Sequence, residues 1–202
     1  MKKIVISFIV LLISNFGFSQ NAISPFEQKL YDEAITKINA LDFLNIEEEE
    51  LNIENLKINT ESPEVTQYKL KVKQKVNAEA LVIFNRILDT MPNTKLLNKI
   101  NYEMAHIFYQ DGKTKLASEY YIKVLNNPDP ITEDFENEVR NTICITLVEI
   151  FIDNKDFETA LMYLEESKKY KIRFDCGNAA MDYSERLKRF YQTCQEGISK
   201  KK

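Results

Sequence analysis

An alanine-led pattern returns four times along this 202-residue chain, and it constrains the fold more than any other feature. A bulky residue follows each alanine by four positions, and a smaller or aliphatic one comes three positions later. The segments are Ala34–Ile38–Leu41, Ala80–Phe84–Ile87, Ala117–Tyr121–Val124 and Ala160–Leu164–Ser167. Spacings of four and three put all three side chains on one face of an α-helix. Alanine on such a face lets two helix axes approach closely, and the bulky residue behind it fills the gap to the next pair. Recurrence of the unit predicts an array of similar helix pairs.

The punctuation between these segments agrees. Ser24-Pro25-Phe26-Glu27 has the form of a capping box with proline at the first helical position, and Ser62-Pro63 repeats the serine-then-proline start. Asp111-Gly112 and Asn154-Lys155-Asp156 read as turns between apolar stretches of 3.6 period. Only four Gly and five Pro occur, too few for the closely spaced turns of an all-β fold. The chain therefore reads as all-α, with about eight helices in antiparallel pairs. Two loops are expected, an acidic insert over 43–62 that contains Glu47 to Glu50, and a second over 127–134. The stripe Val65, Tyr68, Val72, Val76, Ala80 carries no turn signal, so residues 63–91 read either as a helix pair or as one long helix. Residues 178–195 read as a final helix, with Ala180, Tyr183, Leu187, Phe190 and Tyr191 inside and Glu185, Arg186, Lys188 and Arg189 outside. A polar outer face of that kind suits the open end of a repeat array.

These patterns resemble the tetratricopeptide repeat family, whose second helix reads alanine, aromatic, small residue, with proline after it. The likeness is best in Met104–Tyr109, Gly112 and Ala117–Tyr121–Val124, followed by Pro128. It returns across Leu147–Phe151, Phe157 and Ala160–Ser167, and covers residues 63–169 with a looser extension over 25–42. The family repeats every 34 or so residues, whereas these alanines lie 46, 37 and 43 apart and the chain has no tryptophan. The resemblance implies a short solenoid of stacked helix pairs, with the first helix of each pair lining a concave groove. Tyr102, His106, Tyr109 and Gln110 would line it from one pair, Glu149, Ile152 and Asp153 from the next, and Lys69 from the previous one. Tyr102, His106 and Tyr109 share a stripe rotated from Ala105 and Phe108, which are expected to face the core. The tyrosines read either as groove surface or as packing against the neighbouring helix.

A groove of this kind implies a protein or peptide partner and no reaction. The inventory for chemistry is thin: His106 is the sole histidine, and no HExxH, CxxC, phosphate-binding loop or dinucleotide fingerprint occurs. No catalytic residue, metal or cofactor is expected. An enzyme reading would rest on His106 with Glu149 or Asp153, and a further rival is a structural subunit of a cell-envelope assembly held by its convex face. Cys144 falls on an apolar helix side. Cys176 and Cys194 sit near opposite ends of the final helix, about 27 Å apart at 1.5 Å per residue, far beyond the ~7 Å a disulfide spans. No stabilising disulfide is expected.

The first nineteen residues stand apart from the domain over 20–202. Lys2 and Lys3 precede the apolar run Ile4 to Ile13, and Gly17-Phe18-Ser19 supplies small residues for cleavage. This is the form of a signal peptide, with an uncleaved anchor as the alternative, although the run is short of the roughly 20 apolar residues of a span. Its removal leaves 25 basic against 31 acidic residues, a net charge of −6, which argues against nucleic acid or anionic lipid as ligand. The expected location is periplasmic or secreted. N-terminal sequencing of the exported protein should read from Gln20; recovery of the full-length chain only in membranes would overturn the assignment.

Overall fold

A computed structural model of the chain describes residues 23–50, 63–132, 135–174 and 177–200. The expected signal peptide, most of the acidic insert and Cys176 lie outside the described residues. Within them every regular element is an α-helix: α1 (Pro25–Glu50), α2 (Pro63–Thr90), α3 (Leu97–Gln110), α4 (Thr114–Asn126), α5 (Glu136–Asp153), α6 (Phe157–Ser167) and α7 (Gly177–Lys200). None of these helices is long and apolar enough to cross a membrane. They divide into two compact units between Leu97 and Asn98.

The first unit is the α1–α2 pair. The capping box forms as its sequence requires: the Glu27 amide donates to Ser24 Oγ at 3.1 Å, and the Ser24 amide donates to a Glu27 carboxylate oxygen at 3.2 Å. The Tyr31 ring lies 6.1 Å from that of Phe84, and Lys37 pairs with Glu79 at 2.8 Å, a descending register that makes the helices antiparallel. Ala34 and Ala80 are fully buried, as are Phe84 and Ile87. One expectation needs correction and one open choice is decided. Of the two readings for residues 63–91, the single long helix forms, over Pro63–Thr90, and seven helices occur among the described residues. No Gly or Pro interrupts α2 after Pro63, so nothing stops the intrahelical ladder before Pro92. Helix α1 also runs to Glu50, eight residues into the stretch assigned to a loop, because Phe43 to Glu50 contains no helix breaker.

The second unit contains two hairpins built to one plan. In the first, Gly112 takes a left-handed φ of 72° and the Lys113 amide reaches back to the Phe108 carbonyl at 2.8 Å. In the second, Lys155 takes φ 59° and the Asp156 amide reaches the Phe151 carbonyl at 2.8 Å. Each bond spans five residues and ends α3 or α5 in a left-handed cap. The correspondence, at an offset of 43, continues outward from the turn. The Phe108–Tyr120 rings are 5.4 Å apart and the Phe151–Tyr163 rings 5.7 Å apart. Ala117 and Ala160, each fourth in its helix, have no exposed surface. Buried Asn98 and Asn141 both donate to carbonyls at or beyond the end of the second helix, Asp129 in one case and Ser167 and Tyr170 in the other.

Arg140, on the first part of α5, ties the hairpins together. It donates to the carbonyls of Val124, Asn127 and Asp129 and to the Glu136 carboxylate. Glu136 in turn accepts the Ile131 and Thr132 amides, so the loop 127–132 is held by its own following helix. One offset later Tyr183 of α7 occupies the place of Arg140, donating to Asn141 at 2.8 Å. Cys194 is the buried residue of α7, with Tyr183, Leu187, Phe190 and Tyr191 half-buried beside it. Where α5 carries Ile143, Ile145 and Ile150, the same offset gives α7 Arg186, Lys188 and Thr193, all exposed. The final helix thus has an apolar inner face and a polar back, and extends to Lys200, past the expected end at 195.

Cys144 and Cys194 are buried thiols, and burial pushes the Cys144 thiol up to about 12, which leaves it unreactive. At Gly197, α7 approaches α6 so closely that a Cβ would overlap the Phe157 ring. Ala160→Leu and Gly197→Ala should therefore each cost roughly 1–3 kcal/mol by overpacking, read as lower midpoints in thermal melts. Unchanged melts for both would mean that neither close approach exists.

Candidate functional site

Helix α3 has a buried side formed by Ile100, Met104, Ala105 and Ile107, and the expected groove stripe lies along its edge. Tyr109 and Gln110 are exposed, as the stripe requires, and His106 is half-buried. Gln110 Nε2 lies 2.6 Å from His106 Nε2, joining two of these residues across one turn. Tyr102 departs from the expectation. It is half-buried, with its ring 6.4 Å from that of Tyr121 on α4 and stacked at 6.4 Å on His106. Phe108 departs the other way: it is half-buried against Tyr120, with the Lys113 ammonium 5.9 Å from its ring. The one-residue offset thus separates Ala105 from Tyr109 cleanly. It fails at Tyr102 and Phe108 because aromatic side chains from α4 reach both edges of α3.

The equivalent stripe on α5 presents Glu149 and Ile152, half-buried, and Asp153, exposed. These are the offset-43 counterparts of His106, Tyr109 and Gln110. The acids of the α5 stripe lie within electrostatic reach of Tyr109 on α3. Burial, with Glu149 and Asp153 nearby, pushes its phenol above the usual range, and Arg186 opposes that shift. Arg186 of α7 pairs with Glu149 at 2.7 Å and lies 5.5 Å from the Phe190 ring centre. Three alternate helices, α3, α5 and α7, therefore contribute to one face. Lys69 is half-buried on α2, in the other compact unit.

Sequence reasoning missed one participant in this face, Arg186, and one perturbed carboxyl elsewhere on α3, Glu103. Arg186 was assigned only to the solvated back of the last helix, because no spacing in the sequence reveals how α7 rotates on α5. Glu103 follows Tyr102 and carries no apolar or motif signal. Its side chain is partly exposed by surface area, yet surrounding atoms desolvate the carboxyl and raise its pKa to about 7. Among the described residues no group of three or more His, Cys, Asp or Glu side chains could hold a metal ion. His106 bonds Gln110, and the ordered contacts of Glu149 are to Arg186.

The raised pKa of Glu103 has a consequence for stability. The folded chain holds that proton more tightly than the unfolded chain, whose carboxyl titrates near 4.5. Its contribution is complete below about pH 4.5 and is lost as pH rises through about 7. Glu103→Gln should therefore match the parent at pH 4 and exceed it by about 1–3 kcal/mol at pH 8, measured by urea unfolding at several pH values. A pH-independent difference would show that the carboxyl is not desolvated.

Compared with known proteins, the chain matches no family profile, no curated protein and no solved structure.

Proposed function

We propose that this chain is an exported interaction module of tetratricopeptide type, which binds a peptide or helix of a cell-envelope partner on the face built by α3, α5 and α7. The observation that carries the reading is the convergence at Tyr109 of side chains from three alternate helices. In a stack of hairpins, the first helices lie side by side and present equivalent positions to a common ligand. His106 and Glu149, Tyr109 and Ile152, and Gln110 and Asp153 are such equivalents. The duplicated turn and the paired Phe–Tyr contacts support the repeat itself. A half-exposed tyrosine beside hydrogen-bonding groups gives a large contact area with little entropy to lose, as a peptide surface requires.

A second reading also has a specific support. Tyr68 and Val82 on α2 are 69% and 68% exposed, apolar surface that a structural subunit would bury elsewhere in an assembly. Pull-downs from envelope extracts separate the two. Chain bearing Tyr109→Ala should lose the captured protein, at a cost of about 1–3 kcal/mol in affinity, while Tyr68→Ser with Val82→Ser should retain it. The reverse pattern would transfer the function to α2 and retire the groove.

A further inference from the structure

The face formed by α3, α5 and α7 carries an imbalance of charge. Glu149 and Asp153 stand one turn apart on α5, and both lie within electrostatic reach of the exposed edge of Tyr109. Arg186 supplies one cation and is committed to Glu149 at 2.7 Å. Asp153 is exposed and has no ion pair among the described residues. One carboxylate is thus left over beside a tyrosine ring that is 37% exposed. A ring face attracts a cation through its quadrupole, and a neighbouring carboxylate adds a charge-assisted hydrogen bond. Arg186 already uses that pairing, since its guanidinium bonds Glu149 while lying over the Phe190 ring.

Resting on the docking face described above, we infer that its occupant is a basic peptide segment, whose Lys or Arg meets Asp153 beside Tyr109 and competes with Arg186 for Glu149. Charge complementarity decides between occupants. An acidic segment would set its own carboxylates against both α5 acids, with the Arg186 guanidinium already engaged by Glu149. A basic segment finds one carboxylate open and a second held by a partly exposed pair, which a competing cation can exchange at little cost.

The test is fluorescence anisotropy of the full mature chain with a labelled Arg/Ala peptide, and a Glu/Ala peptide of equal length as control. The basic peptide should bind and the acidic one should not, with binding weakening as salt rises. Asp153→Asn should weaken it by roughly fivefold or more. Glu119→Gln, which removes the same charge from exposed surface on α4, should change it by less than about twofold. Arg186→Ala should tighten binding by releasing Glu149. Equal weakening by Asp153→Asn and Glu119→Gln would reduce the effect to general attraction by an acidic protein and overturn the inference. Preference for the acidic peptide would do the same. Both aspartate and glutamate variants alter exposed side chains, so the comparison survives even if Arg186→Ala loosens α7. Loss of envelope capture in Tyr109→Ala, together with no binding of the basic peptide, would remove the basic occupant and leave the docking face standing. Capture unaffected by Tyr109→Ala would remove both.

Discussion

The left-handed residue between paired helices is the constraint on which the second unit depends. With Gly112 or Lys155 in that conformation, the amide three residues past the helix end reaches a carbonyl five residues back, and the chain reverses within three residues. A turn this short leaves the second helix little choice of register. Ala117 and Ala160 then fall at equal distances from their turns, and both land at full burial. A larger residue there would force apart axes that the turn holds together. The two turns achieve the same geometry with different means. Gly112 adopts it without a Cβ to clash, and no atom would meet one added there. Lys155 bears the cost of a side chain at positive φ, on the order of 1–2 kcal/mol, which the surrounding hairpin must outweigh. That the backbone is the same in both cases shows that packing of the pair, and not glycine alone, dictates the turn.

How hairpins join each other is a separate problem with a polar solution. A loop packed against helices strands its inward carbonyls unless something donates to them. Arg140 donates to three, and its partner Glu136 accepts two amides from the same loop. Arginine suits the task because its planar fork offers several donors at fixed angles. At the next junction the demand is smaller, and Asn141 with Tyr183 meets it. Helix α5 is thereby fixed to the loop before it, and Tyr183 fixes α7 to α5, so that under the proposed function Glu149 and Arg186 are held in place before a ligand binds. Pre-ordering of this kind reduces the entropy lost on binding.

Much of this was legible in the sequence, and the gaps have identifiable causes. The capping box at Ser24, the turns at Gly112 and Lys155, the buried alanines and the polar back of the last helix are all local signals, set by residues a few positions apart. Local rules also explain the errors. A charged run such as Glu47 to Glu50 reads as loop by composition, although glutamate is a good helix former and nothing there ends α1. Tyr102 could not be placed because its burial is decided by Tyr121, a residue on another helix whose reach no periodicity records. Arg186 was hidden for the same reason. A site assembled from three helices depends on their relative rotation, and that is a product of packing rather than of any one segment.

The interval between hairpins bears on the proposed kinship. The tetratricopeptide period is about 34 residues, whereas Ala117 and Ala160 are 43 apart. If the hairpin itself had grown, the resemblance would weaken. The structure locates the excess elsewhere. From Leu97 to Asn126 the first hairpin takes a helix, a three-residue turn and a helix, which leaves no room for extra length. The added residues fall between Asn127 and Arg140, in the loop and in the first turn of α5. Lengthening a connection costs little, because closure entropy grows only with the logarithm of loop length. What it does require is new partners for the added amides and carbonyls, and Asn98, Glu136 and Arg140 are the residues that provide them. Under the proposed kinship, the long period is an insertion together with the side chains that satisfy it, and the two hairpins that carry Tyr109 and Asp153 keep their common plan.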